Sequence, residues 1–302
     1  MRAMSRQYVG VVVFLLAITS NALGAEIDIP SAPAPPDFVF PKPDGPHPVG
    51  VRAFAWIDSS REESATEEPD DYREVTVQIW YPASPQPDAP TAAYTPELEA
   101  ILAAASDASE EHKKFIKMHA PLRGAATTSI AGADIAASSD PWPVILFSPG
   151  GNVSRHFQTA LAERMASQGF VFVSMSHPYS TIDVAPESGF SMSIDWGIND
   201  EDDKGARAAD DRLADILAGD AIFVLERLGD LEKSGPFAGR LGLDRVGLAG
   251  HSRGGTTVGR ACASDARFAV CAVLDNIGPD REQETGVPPP MLALRCVPCL
   301  PR

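Results

Sequence analysis

One short segment limits the folds open to this chain more than any other, the sequence Gly-His-Ser-Arg-Gly at residues 250–254. It directly follows a mostly apolar stretch at residues 245–249 and overlaps the start of a helical pattern at residues 254–264. A strand that turns sharply into a helix brings two backbones close together, and glycines two residues before and two after the tip permit that approach. The segment therefore predicts a strand–turn–helix unit that holds Ser252 at the tip of a strained turn.

Strand and helix patterns alternate along the rest of the chain. Residues 51–57 and 74–81 alternate between apolar and polar side chains, which predicts two antiparallel opening strands. Short apolar runs then predict buried strands at residues 144–147, 170–175, 245–249, 268–274 and 291–294. Helical patterns lie between them, at residues 154–168, 213–228 and 254–264. This order favours an α/β fold, in which helices cover both faces of a mostly parallel sheet.

Two segments precede the predicted domain, which is expected to cover residues 48–302. Residues 1–25 combine basic residues, an apolar run and small residues, a pattern typical of a secretory signal peptide, so we expect an exported protein, periplasmic or secreted. The apolar run is much shorter than the roughly 20 residues that span a bilayer, so cleavage near Gly24 or Ala25 should leave no stable membrane span. Residues 26–47 are so rich in proline that an extended lead-in without regular structure is expected.

Charge and composition narrow the possible partners and leave one region open. The formal net charge of −16 predicts no nucleic-acid partner, because a polyanion would be repelled over most of the surface. Residues 85–140, rich in Ala, Ser and Pro, form either a cap over a substrate site or a long surface excursion, and we favour the second. An exported protein can join Cys262 to Cys271, whereas the Cys-x-x-Cys at residues 296–299 is interpreted as incidental.

A site for acyl transfer can be assembled from three places in the sequence. Ser252 is the candidate nucleophile. The oxyanion that forms during its attack needs N–H donors, worth roughly 3 to 4 kcal/mol each, and these are predicted at Arg253 and at Gly151. Asp275 ends the strand that follows the nucleophile's helix, and it is the candidate acid that orients a catalytic histidine. This chemistry calls for no metal and no cofactor.

Together these stretches resemble the platelet-activating-factor acetylhydrolase family of α/β-hydrolases and its dienelactone-hydrolase-like relatives. The resemblance rests on the order and spacing of segments at residues 48–50, 79–82, 146–150, 247–255 and 265–275. It implies the α/β-hydrolase fold and a serine esterase that releases a short acyl group from a phospholipid or a small ester. It also implies that the family's nucleophile falls on Ser252, its acid on Asp275, and its oxyanion donors on Gly151 and Arg253.

Individual residues depart from the family or need an interpretation of their own. Pro149 stands where the family usually has a histidine, and Arg253 replaces a common apolar residue and would put a cation at the mouth of the site. His251 is expected to point away from the site. His177, which follows a predicted strand, is interpreted as structural, with a role as a substitute base as the alternative.

A further departure concerns the catalytic base. The order nucleophile, acid, histidine requires a histidine after Asp275, yet all six histidines precede Ser252. We therefore expect a C-terminally truncated hydrolase that lacks the last strand and helix of the fold. Three interpretations stay open: a hydrolase that retains ester hydrolysis, an inactive or binding-only remnant, and a redox protein that uses Cys296 and Cys299.

Overall fold

The computed structural model of the chain describes residues 23–33, 38–104, 110, 113, 120–198, 203–275 and 291–294. These residues form an 11-stranded sheet and a two-stranded sheet. The strands are β1 Ala25–Ile27, β2 Phe38–Val39, β3 Val49–Glu62, β4 Tyr72–Pro82, β5 Thr91–Ala93, β6 Ala125–Ala131, β7 Trp142–Ser148, β8 Val171–Met175, β9 Asp183–Ala185, β10 Gly189–Ser191, β11 Leu241–His251, β12 Phe268–Leu274 and β13 Met291–Leu294. The helices are α1 Leu98–Ala104, α2 Thr159–Ser167, α3 Asp203–Lys233 and α4 Arg253–Ser264, with 3-10 turns at Ala120–Leu122 and Arg155–Gln158.

The order of the strands places four loops at one edge of the large sheet. That order is β13-β12-β11-β7-β8-β4-β3-β6-β2, and β1 and β5 pair beside it with β3 and β6. Strands β7, β8, β11, β12 and β13 are parallel to their neighbours in this group, whereas β4 is antiparallel to both β3 and β8. The carboxyl ends of β7, β8, β11 and β12 therefore lie side by side, which is where open α/β sheets bind their ligands.

Two hydrophobic cores lie on opposite faces of the sheet. On one face, Val77 of β4 belongs to the core that contains Val224 of α3 and Val258 of α4. On the other face, Trp80 of β4 belongs to the core that contains Ala162 of α2. Strand β4 is thus buried on both sides, although its alternating sequence is typical of a strand with one exposed face.

Most predicted elements are present, with corrections at the start of the chain and in residues 85–140. The surface excursion favoured for residues 85–140 is wrong in part, because β6 pairs in parallel with β3 and extends the sheet. The sequence of β6 is small and polar, so it lacks the apolar alternation from which a strand is predicted. In the lead-in, β1 and β2 join the sheet over only three and two residues, because the prolines around them limit regular pairing. The helix predicted at residues 154–168 is divided into a 3-10 turn and α2.

Several predictions fall on residues that the structure does not describe. Residues 1–22, which hold most of the predicted signal peptide, lie outside the described ranges, as do Cys296 and Cys299. Within those ranges, no helix has both the length and the apolar character needed to cross a membrane. Cys262 of α4 and Cys271 of β12 form a disulfide, which ties the helix after Ser252 to the strand that leads to Asp275.

Candidate active site

The turn between β11 and α4 has the strained geometry that its glycines predict. Ser252 has φ 52° and ψ −118°, a backbone conformation that side-chain-bearing residues rarely adopt. A Cβ atom added at Gly250 would lie 2.2 Å from the carbonyl oxygen of Gly254, and one added at Gly254 would lie 1.9 Å from the carbonyl oxygen of Ser148. Only glycine fits at both positions, so the strand and helix can approach closely enough to present Ser252 at the tip.

The loop that follows β7 lies directly beside this turn. A Cβ atom added at Gly150 would lie 3.4 Å from the Cβ of Ser252. Gly151 is exposed, and no hydrogen bond among the described residues uses its N–H. The next residue, Asn152, has its N–H committed to the carbonyl oxygen of Ser180 at 2.9 Å. The structure thus places Gly150 beside Ser252, and the next residue, Gly151, is the predicted oxyanion donor and has its N–H available.

The candidate acid is brought to the same place by the pairing of β11 with β12. The N–H of Ser252 donates to the carbonyl oxygen of Leu274 at 3.0 Å, so the neighbouring residue, Asp275, begins beside the nucleophile. Asp275 has φ 49°, and its N–H donates to the carbonyl oxygen of Leu294 in β13 at 2.7 Å. The structure therefore brings together Ser252, Asp275 and Gly151; their catalytic roles stay predictions.

Backbone strain is concentrated at this edge of the sheet. Of the six described residues other than glycine with positive φ, four follow the carboxyl ends of β7, β8, β11 and β12 in turn: Asn152, Tyr179, Ser252 and Asp275. Such conformations are unfavourable by about 1–3 kcal/mol each and persist only where the surrounding contacts fix them. A row of them across four adjacent strands makes this edge the candidate functional end of the fold.

The side chain of Arg253, which was predicted to put a cation at the mouth of the site, is paired with a carboxylate. It donates to Asp210 near the start of α3, and both groups are partly buried. About two helical turns further along α4, Arg260 forms ion pairs with Asp211 and Asp215 of α3. The predicted oxyanion donor of Arg253 is its backbone N–H, which lies at the first position of α4, where no intrahelical partner is available.

A chain of buried polar side chains lies behind the loop after β7. The hydroxyl of Ser148 is 2.8 Å from Nε2 of His177, and Nδ1 of His177 is 2.8 Å from Asp220 on α3. Asp220 also accepts two hydrogen bonds from Arg73, at 2.6 and 2.7 Å, and Arg73 donates to Glu63 at 2.7 Å. Sequence reasoning missed this chain, because the residues that Ser148, His177 and Arg73 contact in it are 10 to 147 residues away and form no local motif.

The charges in this chain stabilise one another. Burial by itself would raise the pKa of the Asp220 carboxyl, but the adjacent Arg73 guanidinium and the hydrogen bond from His177 outweigh burial and hold that pKa well below its usual range. Burial likewise acts to lower the pKa of Arg73, and the carboxylates of Asp220 and Glu63 more than compensate for it. Both groups are therefore charged at neutral pH although they are fully buried.

Two other histidines lie near the site: His156 is held by a carboxylate, and His251 packs against the loop after β7. Nε2 of His156 is 2.9 Å from Glu97, which also binds Arg155. His251 lies against the loop after β7, since a Cβ atom added at Gly150 would be 3.2 Å from its Nδ1. In the part of the chain that the structure describes, no group of three or more His, Cys, Asp and Glu side chains is arranged to hold a metal ion.

Comparisons with known proteins agree with this geometry. A family model described as "Platelet-activating factor acetylhydrolase, isoform II" matches residues 34–182. A curated relative from Arthroderma benhamiae, "Probable 1-alkyl-2-acetylglycerophosphocholine esterase", is 26% identical over 273 residues, covering 84% of this chain and 61% of the relative. Among solved structures, the ferulic acid esterase from Streptomyces cinnamoneus has a TM-score of 0.63 and 27% identity, covering 86% of this chain and 68% of that one.

The chain resembles the platelet-activating factor acetylhydrolases and has the α/β-hydrolase fold. Both predictions made from the sequence are thereby confirmed. The family model ends before the turn at Ser252, so the match covers the opening strands and the loop after β7. The chain spans about three-fifths of the length of the curated relative that it matches, 61%.

Proposed function

We propose that this α/β-hydrolase is a serine carboxylic-ester hydrolase that releases a short acyl group from a phospholipid or a small ester through an acyl intermediate on Ser252. The observation that carries the proposal is the strained turn, which holds the Ser252 side chain between the Gly150 loop and the end of β12. The names of the similar proteins, both of them esterases, support the reaction class.

Each group has a role in the proposed reaction. The hydroxyl oxygen of Ser252 attacks the ester carbonyl, and the negative charge that develops on the carbonyl oxygen is stabilised by the N–H groups of Gly151 and Arg253. The alkoxide leaves, water then hydrolyses the acyl-enzyme, and a base accepts and returns the proton. We assign to Asp275 the role of the acid that orients this base; His156 and His177 are not that base, because Glu97 and Asp220 hold them.

Turnover of p-nitrophenyl acetate by the purified chain tests the proposal. The wild-type chain should hydrolyse it, and Ser252→Ala should lower kcat by at least about a thousandfold, because the acyl intermediate cannot form. Ser139→Ala, at an exposed serine away from the site, is the matched control and should leave the rate unchanged. Labelling of Ser252 by a fluorophosphonate gives a second readout of the same hydroxyl.

The opposite outcome favours the second candidate function. If the wild type and Ser252→Ala give the same rate and neither is labelled, the chain is not a serine hydrolase, and the inactive or binding-only interpretation replaces the proposal. That interpretation draws on the sequence, in which all six histidines precede the nucleophile. The test therefore separates the two candidates without a change of substrate.

Substrate class and location are further parts of the proposal. A short-chain acyl phospholipid and a feruloyl ester, compared by kcat/KM, separate the two reactions suggested by the names of the similar proteins. We also propose export to the periplasm or the medium, which the disulfide between Cys262 and Cys271 supports, since such bonds persist mainly in oxidising compartments. Cell fractionation with N-terminal sequencing of the exported protein tests this.

A further inference from the structure

The turn that follows β8 contacts the oxyanion loop at both of its ends. The oxyanion loop is residues 148–152, and the turn is residues 177–181. At one end of the loop, the Ser148 hydroxyl lies 2.8 Å from Nε2 of His177; at the other, the Asn152 N–H donates to the carbonyl oxygen of Ser180 at 2.9 Å. Gly150 and Gly151 lie between these two contacts.

The turn itself is well fixed by its own hydrogen bonds. The N–H of His177 donates to the Thr181 hydroxyl at 2.8 Å, and the N–H groups of Ser180 and Thr181 both donate back to the His177 carbonyl oxygen, at 3.0 and 2.9 Å. The side chain of His177 is fully buried. The turn is therefore a rigid support for the contacts that it makes with the oxyanion loop.

The support is anchored to the body of the fold by Asp220. Its two carboxylate oxygens accept hydrogen bonds from the Nε and Nη2 atoms of Arg73 and from Nδ1 of His177. Arg61 approaches the same carboxylate at 3.0 Å. Arg73 lies on β4 and Asp220 on α3. Their contacts therefore fix the position of His177 relative to the centre of the sheet and to α3.

The hydrogen positions in this chain follow from its chemistry. A carboxylate that binds two arginines carries no proton, so Nδ1 of His177 must be the donor to Asp220. In the neutral imidazole, Nε2 then accepts a hydrogen bond from the Ser148 hydroxyl. The result is a directed chain, Ser148 to His177 to Asp220, with the same order of donors as a catalytic triad.

The hydrogen-bonded chain of Ser148, His177 and Asp220 cannot be a second catalytic triad. Ser148, His177 and Asp220 are all 0% exposed, so no ester can reach the Ser148 hydroxyl. The backbone of Ser148, in contrast, is in direct contact with the nucleophile's helix at Gly254. The chain therefore acts on the site through the position of the loop.

We propose that His177 and Asp220 are positioning residues, which hold the oxyanion loop through Ser148 so that the Gly151 N–H faces the oxygen of the substrate carbonyl. This inference rests on the proposed function, because the loop position matters for rate only if Ser252 reacts. A donor held by such contacts needs no rearrangement as charge develops, which is the property that makes oxyanion donors effective.

The test removes one hydroxyl at each of two buried serines. Ser148→Ala removes the group that links the loop to His177. Ser174→Ala is the matched control, because Ser174 on β8 is equally buried and its hydroxyl has no hydrogen-bond partner among the described residues. We expect Ser148→Ala to lower kcat on p-nitrophenyl acetate by about 10- to 100-fold with KM within about twofold, and Ser174→Ala to change neither.

A second readout does not depend on activity. The backbone amide NMR signals of Gly150 and Gly151 should shift in Ser148→Ala and stay in place in Ser174→Ala. In the wild type, the ring ¹⁵N shifts of His177 should show a protonated Nδ1 and an Nε2 that accepts a hydrogen bond. Unmoved glycine signals, a protonated Nε2 in the neutral ring, or a loss of thermal stability with unchanged kcat would each overturn the proposal.

The two proposals fail in different ways. If the wild type shows no Ser252-dependent turnover, the proposed function is wrong, whereas the glycine signals still decide whether the chain from Ser148 to Asp220 positions the loop. If turnover depends on Ser252 but both serine variants keep the wild-type kcat and the wild-type spectra, only the positioning role is wrong.

Discussion

The two sides of the candidate site are held by different kinds of contact. On the nucleophile side, Gly250 and Gly254 allow two backbones to touch, and Ser252 takes a left-handed conformation between them. On the oxyanion side, which contains the proposed oxyanion loop, the Ser148 hydroxyl donates a hydrogen bond to His177, which in turn contacts the buried ion pair of Asp220 and Arg73. The first side is built by the exclusion of side-chain atoms, and the second by the pairing of charges taken out of water.

This difference determines how each side responds to change. A backbone contact tolerates no added atom, but it is independent of pH and of distant residues. A buried ion pair tolerates changes of shape, yet removal of one partner leaves an uncompensated charge in the interior, which is unfavourable by several kcal/mol. The predictions below use variants on each side to test whether the two sides respond in these separate ways.

The largest expected effect is at Arg73, on the oxyanion side. Arg73→Met should lower the free energy of unfolding by about 3–5 kcal/mol, because Asp220 and Glu63 lose the cation that compensates their burial. Urea denaturation followed by circular dichroism measures it. Arg164→Met, at an exposed ion pair with Asp44, is the control and should cost less than about 1 kcal/mol. If the two variants lower the free energy of unfolding equally, the buried ion pair does not stabilise the oxyanion side.

A somewhat smaller effect is expected at Gly254, on the nucleophile side. Gly254→Ala places a Cβ atom against the Ser148 carbonyl oxygen, which is backbone and cannot rotate away, so unfolding free energy should fall by roughly 3 kcal/mol. Gly259→Ala lies in the same helix, with open space around the added atom, and should stabilise the protein by about 0.5–1 kcal/mol. If neither substitution changes the free energy of unfolding, the steric explanation of this turn is wrong.

The smallest expected effect is a difference in how acid changes the free energy of unfolding of variants on the two sides. The pKa of Asp220 is lowered in the folded state, so its contribution to stability is complete above the unfolded value of about 3.9 and is lost as the pH falls below it. Without Arg73 the pKa of Asp220 is lowered less, because only His177 and Arg61 still favour its charged form, so Arg73→Met loses less stability on the same acidification. The stability gap between wild type and Arg73→Met should therefore narrow between pH 5 and pH 3, roughly the window around that value.

Urea titrations at each pH measure this gap, and Gly254→Ala supplies the comparison. Its gap to the wild type should stay constant over the same range, because no titrating group is involved in the contact between Gly254 and Ser148. If both gaps narrow equally, acid acts on the fold as a whole, and the distinction between a steric side and an electrostatic side is not supported.

The nucleophile side could be predicted from the sequence, and the oxyanion side only in part. The turn at Ser252 is specified by residues within two positions of it, and the strand before Asp275 is an uninterrupted apolar run, so local patterns suffice. The Gly-Gly pair after β7 predicted a donor at Gly151 for the same reason. The partner that holds this loop, His177, follows a different strand, and nothing in its own neighbourhood indicates that Ser148 is its target.

Two features were missed for the same physical reason. Arg253 was predicted to present a cation at the mouth of the site, yet it pairs with Asp210, 43 residues earlier in the chain. Strand β6 was missed because its small, polar residues are recruited by pairing with β3, and not by a hydrophobic pattern of their own. In both cases, contacts between distant segments outweighed the local tendency.

The sequence by itself determined the order of the apolar parallel strands and the helices between them, the strained turn at Ser252 and the positions of Gly151 and Asp275, since each depends on sterics and hydrophobic periodicity over a few neighbouring residues. The tertiary structure alone decided that Ser148, His177 and Asp220 form one buried chain behind the site. Coulombic and hydrogen-bond energies depend on distances in space, and folding sets those distances between residues that the sequence separates.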